Sequence, residues 1–305
     1  MTVNPILAFS ARRRMRSART AWLLTLYALA VLLFGLGISF HSFLGDTLSI
    51  YTMGDAQEGY VVMMIFQFFL LILVTPAMTA GSISGERERQ TLDLLLVTHT
   101  GSLRIVLGKL LESLGLMVLL VAATLPVMCL VLITGSMTLS QVLVGLLFLA
   151  VTAFAMLSVG ILCSSLMRRT VAATVVSYLA VFAIGLITLL PLIQDIAQAG
   201  QAYERMYSGR VYTAPSAVIG GEAGKLRLTS FVFNPFLGLV SLLISQTGLL
   251  RGTLGSYSYI FYELFDYLDF TGMAWGCMSF MAVAGLILNL LAACFVRPRR
   301  RGSKA

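Results

Sequence analysis

Charge is scarce in this sequence: Asp, Glu, Lys and Arg make up only 11% of its 305 residues, against about a quarter in soluble domains. A water-exposed globular surface of ordinary composition is thereby excluded. Histidine is scarcer still. The two histidines, His41 and His99, both fall at loop positions, so histidine-based metal or nucleophile chemistry within a membrane lacks its parts. Four cysteines, Cys129, Cys163, Cys277 and Cys294, stand singly in apolar windows without metal-ligand or disulfide spacing, and read as small buried hydrophobes. No phosphate-cradling loop is present. The nearest approach, Gly220-Gly221-Glu222-Ala223-Gly224-Lys225-Leu226, has Ile219 where the first Gly belongs and Leu226 in place of Ser or Thr. Gly81-Ser82-Ile83-Ser84-Gly85 fits neither a nucleophile elbow nor an intramembrane-protease serine motif, and its Gly81/Gly85 pair at the end of a span marks a helix break more readily than a dimer face. Neither a catalytic residue nor a metal site is expected.

What is abundant is apolar sequence, 58% of the chain. A helix crosses roughly 30 Å of hydrocarbon with about 20 mostly apolar residues, and six windows are read as spans: Trp22–Phe40, Tyr60–Ala80, about Lys109–Thr134, Val142–Cys163, Val171–Ile193 and Met273–Val296. The expected fold is therefore a single all-α integral membrane domain, 1–305, with six transmembrane helices. Before the first span, 1–19 carries Arg12, Arg13, Arg14, Arg16 and Arg19 among Ile6, Leu7 and Phe9, the pattern of an interfacial helix on anionic headgroups. Trp22 is an interface anchor, and the run behind it is long for a signal-peptide core, so an uncleaved anchor is expected. Pro76 should free a carbonyl in the second span that Thr75 or Thr79 could satisfy. Residues 194–272 form a long insertion, mixed and polar through Ser230. Its stretch from Phe236 to Leu250, opened by Asn234-Pro235, is too short to span and reads as a re-entrant or interfacial helix. Tyr257, Tyr259, Tyr262 and Tyr267, with Phe261 and Phe265, make an interfacial aromatic belt.

Alternating these spans puts both termini, the loop after the second span and the Arg168-Arg169 turn on one side. That side holds all but five of the 21 Lys and Arg, the exceptions being Arg205, Arg210, Lys225, Arg227 and Arg251 in the insertion. It is therefore cytosolic. Membrane orientation accounts for the net charge of +8, so no nucleic-acid partner is needed.

The densest charge lies between the second and third spans, in Gly81–Thr98, GSISGERERQTLDLLLVT. Ser84 is a candidate N-cap, Glu86 suits the positive end of a helix dipole, and Glu86–Arg89 and Arg89–Asp93 have helix-supporting spacings. Leu92, Leu95 and Leu96 share a face, and Gly101 supplies a stop. A short amphipathic helix over 83–98 is expected, with its charged face free. By itself it is equally a loop helix resting on headgroups. Just beyond, Glu112 lies one turn inside the third span, paired locally with Lys109 or meeting another helix as a gate contact.

The run Ser84-Gly85-Glu86-Arg87-Glu88, then Thr91-Leu92-Asp93-Leu94-Leu95-Leu96, Thr98 and Gly108-Lys109-Leu110-Leu111 resembles the first cytosolic loop of ABC-2 type permeases of ABC transporters. It departs at His99, where the family usually has Pro. Asn234-Pro235 is similar to the family's step before its re-entrant helices. The resemblance implies that 84–97 is a coupling helix docking into a separate ATPase subunit, through Ser84, Glu86, Arg87, Glu88, Arg89, Thr91, Asp93 and Leu95. It implies a second permease subunit, alike or different, with ATP and Mg on the ATPase and no cofactor on this chain. It also implies export as the commonest direction, a bacterial cell membrane, and a path lined by the second and fifth spans. Gln67, Thr75, Thr79, Thr174, Ser177 and Tyr178 are then candidate lining residues, and ordinary interhelical hydrogen bonds serve equally for each. An ion-coupled secondary transporter or channel would want midmembrane charges and internal repeats, which the sequence lacks. A non-transporting anchor or sensor would use 194–272 as its ectodomain.

Overall fold

A computed structural model describes residues 18–45, 53–90, 102–133, 137–207, 230–248 and 270–296. Helix is the only regular structure among them. In chain order the helices are α1 (Ala18–Gly45), α2 (Met53–Thr79), α3 (Gly81–Glu88), α4 (Ser102–Ala122), α5 (Leu125–Ile133), α6 (Leu139–Leu166), α7 (Thr170–Tyr207), α8 (Ser230–Phe233), α9 (Pro235–Thr247) and α10 (Phe270–Val296). An apolar chain that satisfies every backbone group within its own segment suits a bilayer, where water cannot take up the remainder. Five segments are long and apolar enough to cross one: 57–88, 102–122, 139–166, 170–191 and 270–296. The first expected span lies inside α1, whose described apolar portion, Thr25–Gly37, is shorter.

The boundaries correct several expectations. Helix α2 starts well before Tyr60, taking in residues expected to be loop. The third span begins at Ser102, leaving Lys109 a full two turns inside, and it does not run through to Thr134. Pro126 cannot donate to a carbonyl one turn back, and the helix breaks at Ala123-Thr124 before α5 restarts with Pro126 at its second position. The Thr124 hydroxyl covers part of the break by donating to Val121 O at 2.6 Å, and buried Gln67 of α2 donates to that hydroxyl at 2.9 Å. The helix that carries the fifth span does not stop at Ile193. Helix α7 continues through 194–207 as one 38-residue rod with Pro191 inside, so the insertion opens as helix.

Helix α6 is the centre of the packing, touching α10, α2, α7, α4 and α3. Its start is fixed by a capping box in which Thr138 and Gln141 exchange backbone and side-chain bonds. Phe148, Leu149, Leu157 and Ile161 on α6 are fully buried. Close approach to α2 is bought with a missing side chain: a Cβ on Gly160 would overlap Thr79 Oγ1, the small-residue packing that membrane helices favour. On α10, buried Asn289 donates to Ser158 Oγ of α6 at 2.7 Å. Phe34 of α1 stacks on Phe66 of α2, with ring centroids 3.8 Å apart.

The short helix α9 has the N-cap its sequence announces. Asn234 Oδ1 accepts from Phe236 N and Leu237 N, and Gly248 ends the helix in the left-handed conformation at φ 62°. At about 20 Å, its 13 residues fall short of a full crossing. Its far end is clasped to α6 and α2. Gln246 and Gln141 each donate to the other's backbone carbonyl at 3.0 Å, and Tyr60 OH donates to Gln246 Oε1 at 3.1 Å. Of the N-terminal basic stretch only Arg19, in the first turn of α1, is among the described residues; the tyrosine belt at 257–267 and the C-terminal arginines lie outside them.

Candidate functional site

The charged run sits where α2, α3, α4, α6 and α7 converge. Ala80 keeps right-handed helical angles, so α3 continues α2 with little interruption. What interrupts the ladder is a hydroxyl from α6. Ser164 Oγ accepts from Ile83 N at 3.0 Å and Ser84 N at 2.9 Å, an insertion of the kind that bends helices. Ser84 therefore does not cap the helix. It lies inside α3, fully buried, and its hydroxyl donates to Ala80 O at 2.6 Å.

The next three charges each reach a different neighbour. Glu86 Oε1 is 2.6 Å from Lys109 Nζ on α4, and Lys109 also stands 3.9 Å from Glu112 Oε2. The local Lys109–Glu112 pairing is thus present, with Glu86 added to it. Arg87 Nη1 donates to Met167 O, just past the end of α6, at 3.3 Å. Glu88 Oε2 accepts both Thr170 N at 3.2 Å and Thr170 Oγ1 at 2.9 Å, at the first turn of α7. Glu88 itself is exposed at the end of α3. The face expected to be free is in large part engaged within the chain.

The expected helix from Ser84 to Val97 does not run through. It ends at Glu88, Arg89 N and Gln90 N close the turn onto Gly85 O and Arg87 O, and Gln90 adopts φ 58°. A left-handed residue after a helix is the usual stop signal, though glycine normally supplies it. By propensity Arg and Gln are good helix formers, so the stop is imposed by the tertiary contacts of Glu86, Arg87 and Glu88. Arg89 lies outside the helix, and Asp93, its expected partner at i+4, is not among the described residues. Thr91, Asp93 and Leu95 lie outside the described residues.

The proposed lining residues are brought to the α2–α7 region, and most are already bonded. Thr75, Thr79, Thr174 and Ser177 donate to carbonyls one turn back on their own helices, Leu71, Thr75, Thr170 and Ala173. Neither threonine serves the carbonyl of Ile72 that Pro76 frees. Tyr178 instead crosses from α7 to donate to the adjacent Leu73 O at 2.7 Å. Gln67, Thr75, Thr79 and Ser177 are fully buried. Among the described residues no group of three His, Cys, Asp or Glu is placed to hold a metal, and all four cysteines are unpaired.

Ser164, Thr170 and Thr124 were not singled out from sequence. A Ser164-Ser165 pair closing an apolar helix and a Thr after Arg168-Arg169 are weak signals, and neither names its distant partner.

Helical spans around a central helix, with a charged junction at one end, define a polytopic helical membrane protein. The family profile described as "ABC-2 family transporter protein" matches residues 6–297, and the chain belongs to that family. It is accordingly a membrane transport subunit of the ABC-2 kind. A comparison with curated proteins finds no match.

Proposed function

We propose that this chain is the six-span permease subunit of an ATP-driven exporter, with α1 as the sixth span and both termini cytosolic. A separate ATPase subunit carries ATP and Mg, and a second permease subunit, alike or different, completes the pathway. The observation that carries this reading is the placement of Ser84–Glu88, the family's motif, at the point where α3 touches α4, α6 and α7. A push delivered there reaches three spans at once. Docking is assigned to Arg89, Gln90 and the residues behind them through Val97, because Glu86 and Glu88 already serve the chain's own helices.

In this reading α2 and α7 face the path. Thr174 and Tyr178 are the lining candidates whose side chains are not fully buried; Gln67, Thr75, Thr79 and Ser177 hold their helices in place.

The test is co-purification of the tagged full chain from its native membrane. An ATP-hydrolysing subunit should accompany it, and the reversals Arg89→Glu and Asp93→Lys should release that subunit without lowering the amount of chain in the membrane. Retention of the partner by both reversals would move docking elsewhere, and absence of any ATPase from the wild-type preparation would remove the permease reading.

A further inference from the structure

Helix α7 is the least covered span. Val171, Leu179, Phe182, Ile187 and Leu190 are each more than half exposed, so apolar packing fixes it weakly to the rest of the chain. Among the described residues, polar ties to neighbouring helices hold it as well. Near its middle, Tyr178 donates to Leu73 O of α2. Further along, Asn234 Nδ2 donates to Gly185 O at 3.1 Å and Thr188 Oγ1 at 2.8 Å. At its first turn, Thr170 gives two hydrogen bonds to one oxygen of Glu88. Only the last of these comes from the charged run. An ionised acceptor makes these the stronger kind of hydrogen bond, and the backbone N–H it takes has no partner within its own helix.

We infer that Glu88 is a positioning residue that transmits movement of α3 to α7 through Thr170, so that it serves the step after ATPase docking and not docking itself. This rests on the permease reading above. Because Glu88 is exposed while Ser164 and the Glu86–Lys109 pair hold α3 on its other sides, cutting the Glu88 tie loosens α7 from α3 and leaves α3 in place.

The experiment uses the full chain co-purified with its ATPase, with the exposed Cys129 and Cys294 replaced by serine. Spin labels are placed at Leu147 on α6 and Ile187 on α7, both exposed. In the wild type, ATP with vanadate should change the Leu147–Ile187 distance. Glu88→Ala and Thr170→Val should abolish that change while the ATPase still co-purifies and hydrolyses ATP, and Thr170→Ser, which restores the hydroxyl, should recover it. A distance change that survives in Glu88→Ala and Thr170→Val overturns the inference, as does loss of the ATPase from Glu88→Ala, which would make Glu88 a docking residue. Absence of an ATPase from the wild type brings down the permease reading first, and this inference with it.

Discussion

Ser164 places one hydroxyl oxygen within hydrogen-bond reach of two backbone N–H groups, those of Ile83 and Ser84. Replacing it with alanine takes this side-chain acceptor from both in a buried junction, and an unmade buried bond costs about 1–3 kcal/mol. Ser164→Ala should therefore lower the thermal midpoint of the detergent-solubilised chain, and Ser164→Thr should lower it less. An unchanged midpoint in the alanine variant would refute the assignment. Gly160 makes a steric counterpart. A methyl group there collides with Thr79, and overpacking costs about 1–3 kcal/mol. Gly160→Ala should destabilise by that order in the same assay, with Gly160→Ala/Thr79→Ala recovering part of the loss. At this scale the sequence spoke unevenly. The Lys109–Glu112 pair could be read from a three-residue spacing, because neighbours on one helix are fixed by its geometry. The Glu86–Lys109 and Glu88–Thr170 contacts could not, because they depend on how separate helices come together.

Among the elements, the spans were the most legible, for a bilayer demands long apolar runs and leaves few alternatives. Ends were less so. The third span was expected to run through Pro126, and it breaks just before that residue, at Ala123-Thr124, where Gln67 reaches across. The helix over 84–97 failed for the opposite reason: local propensity favoured continuing, and contacts to three neighbouring helices stopped it at Glu88. Asn234 was recognisable as the start of α9 from the Asn-Pro step, whereas its two bonds to α7 were not. These two roles can be separated. Asn234→Asp keeps the acceptor that caps α9 and loses the amide that ties α7; Asn234→Ala loses both. A lost cap costs about 1 kcal/mol, so the thermal midpoint should fall further for alanine than for aspartate. Equal losses would mean that only one of the two roles matters.

For the whole molecule, charge distribution sets the orientation. Cysteines introduced at Ser49 and Gly209 should react with an impermeant reagent in intact cells, while those at Gln90 and Ser303 should need permeabilisation. The reverse pattern would invert the topology. The uncovered face of α7 also makes a claim about assembly: in a paired permease, a photo-reactive group at Phe182 should capture a second permease subunit. Capture of lipid alone would leave α7 facing the bilayer and place the pairing surface on other helices.

The length of α7 gives that same helix a mechanical meaning. Thirty-eight residues make a rod about 57 Å long, nearly twice the hydrocarbon thickness. A tilt of about 5° at its Thr170 end displaces the opposite end by about 5 Å, by the geometry of a rigid rod. Pro191 divides the rod, so the tip can follow the base or bend away from it. In the coupled permease proposed above, a displacement too small to notice at the charged junction would become, at the far side, a movement comparable to the width of a side chain, with α7 as a lever arm whose mechanical advantage is written in its residue count.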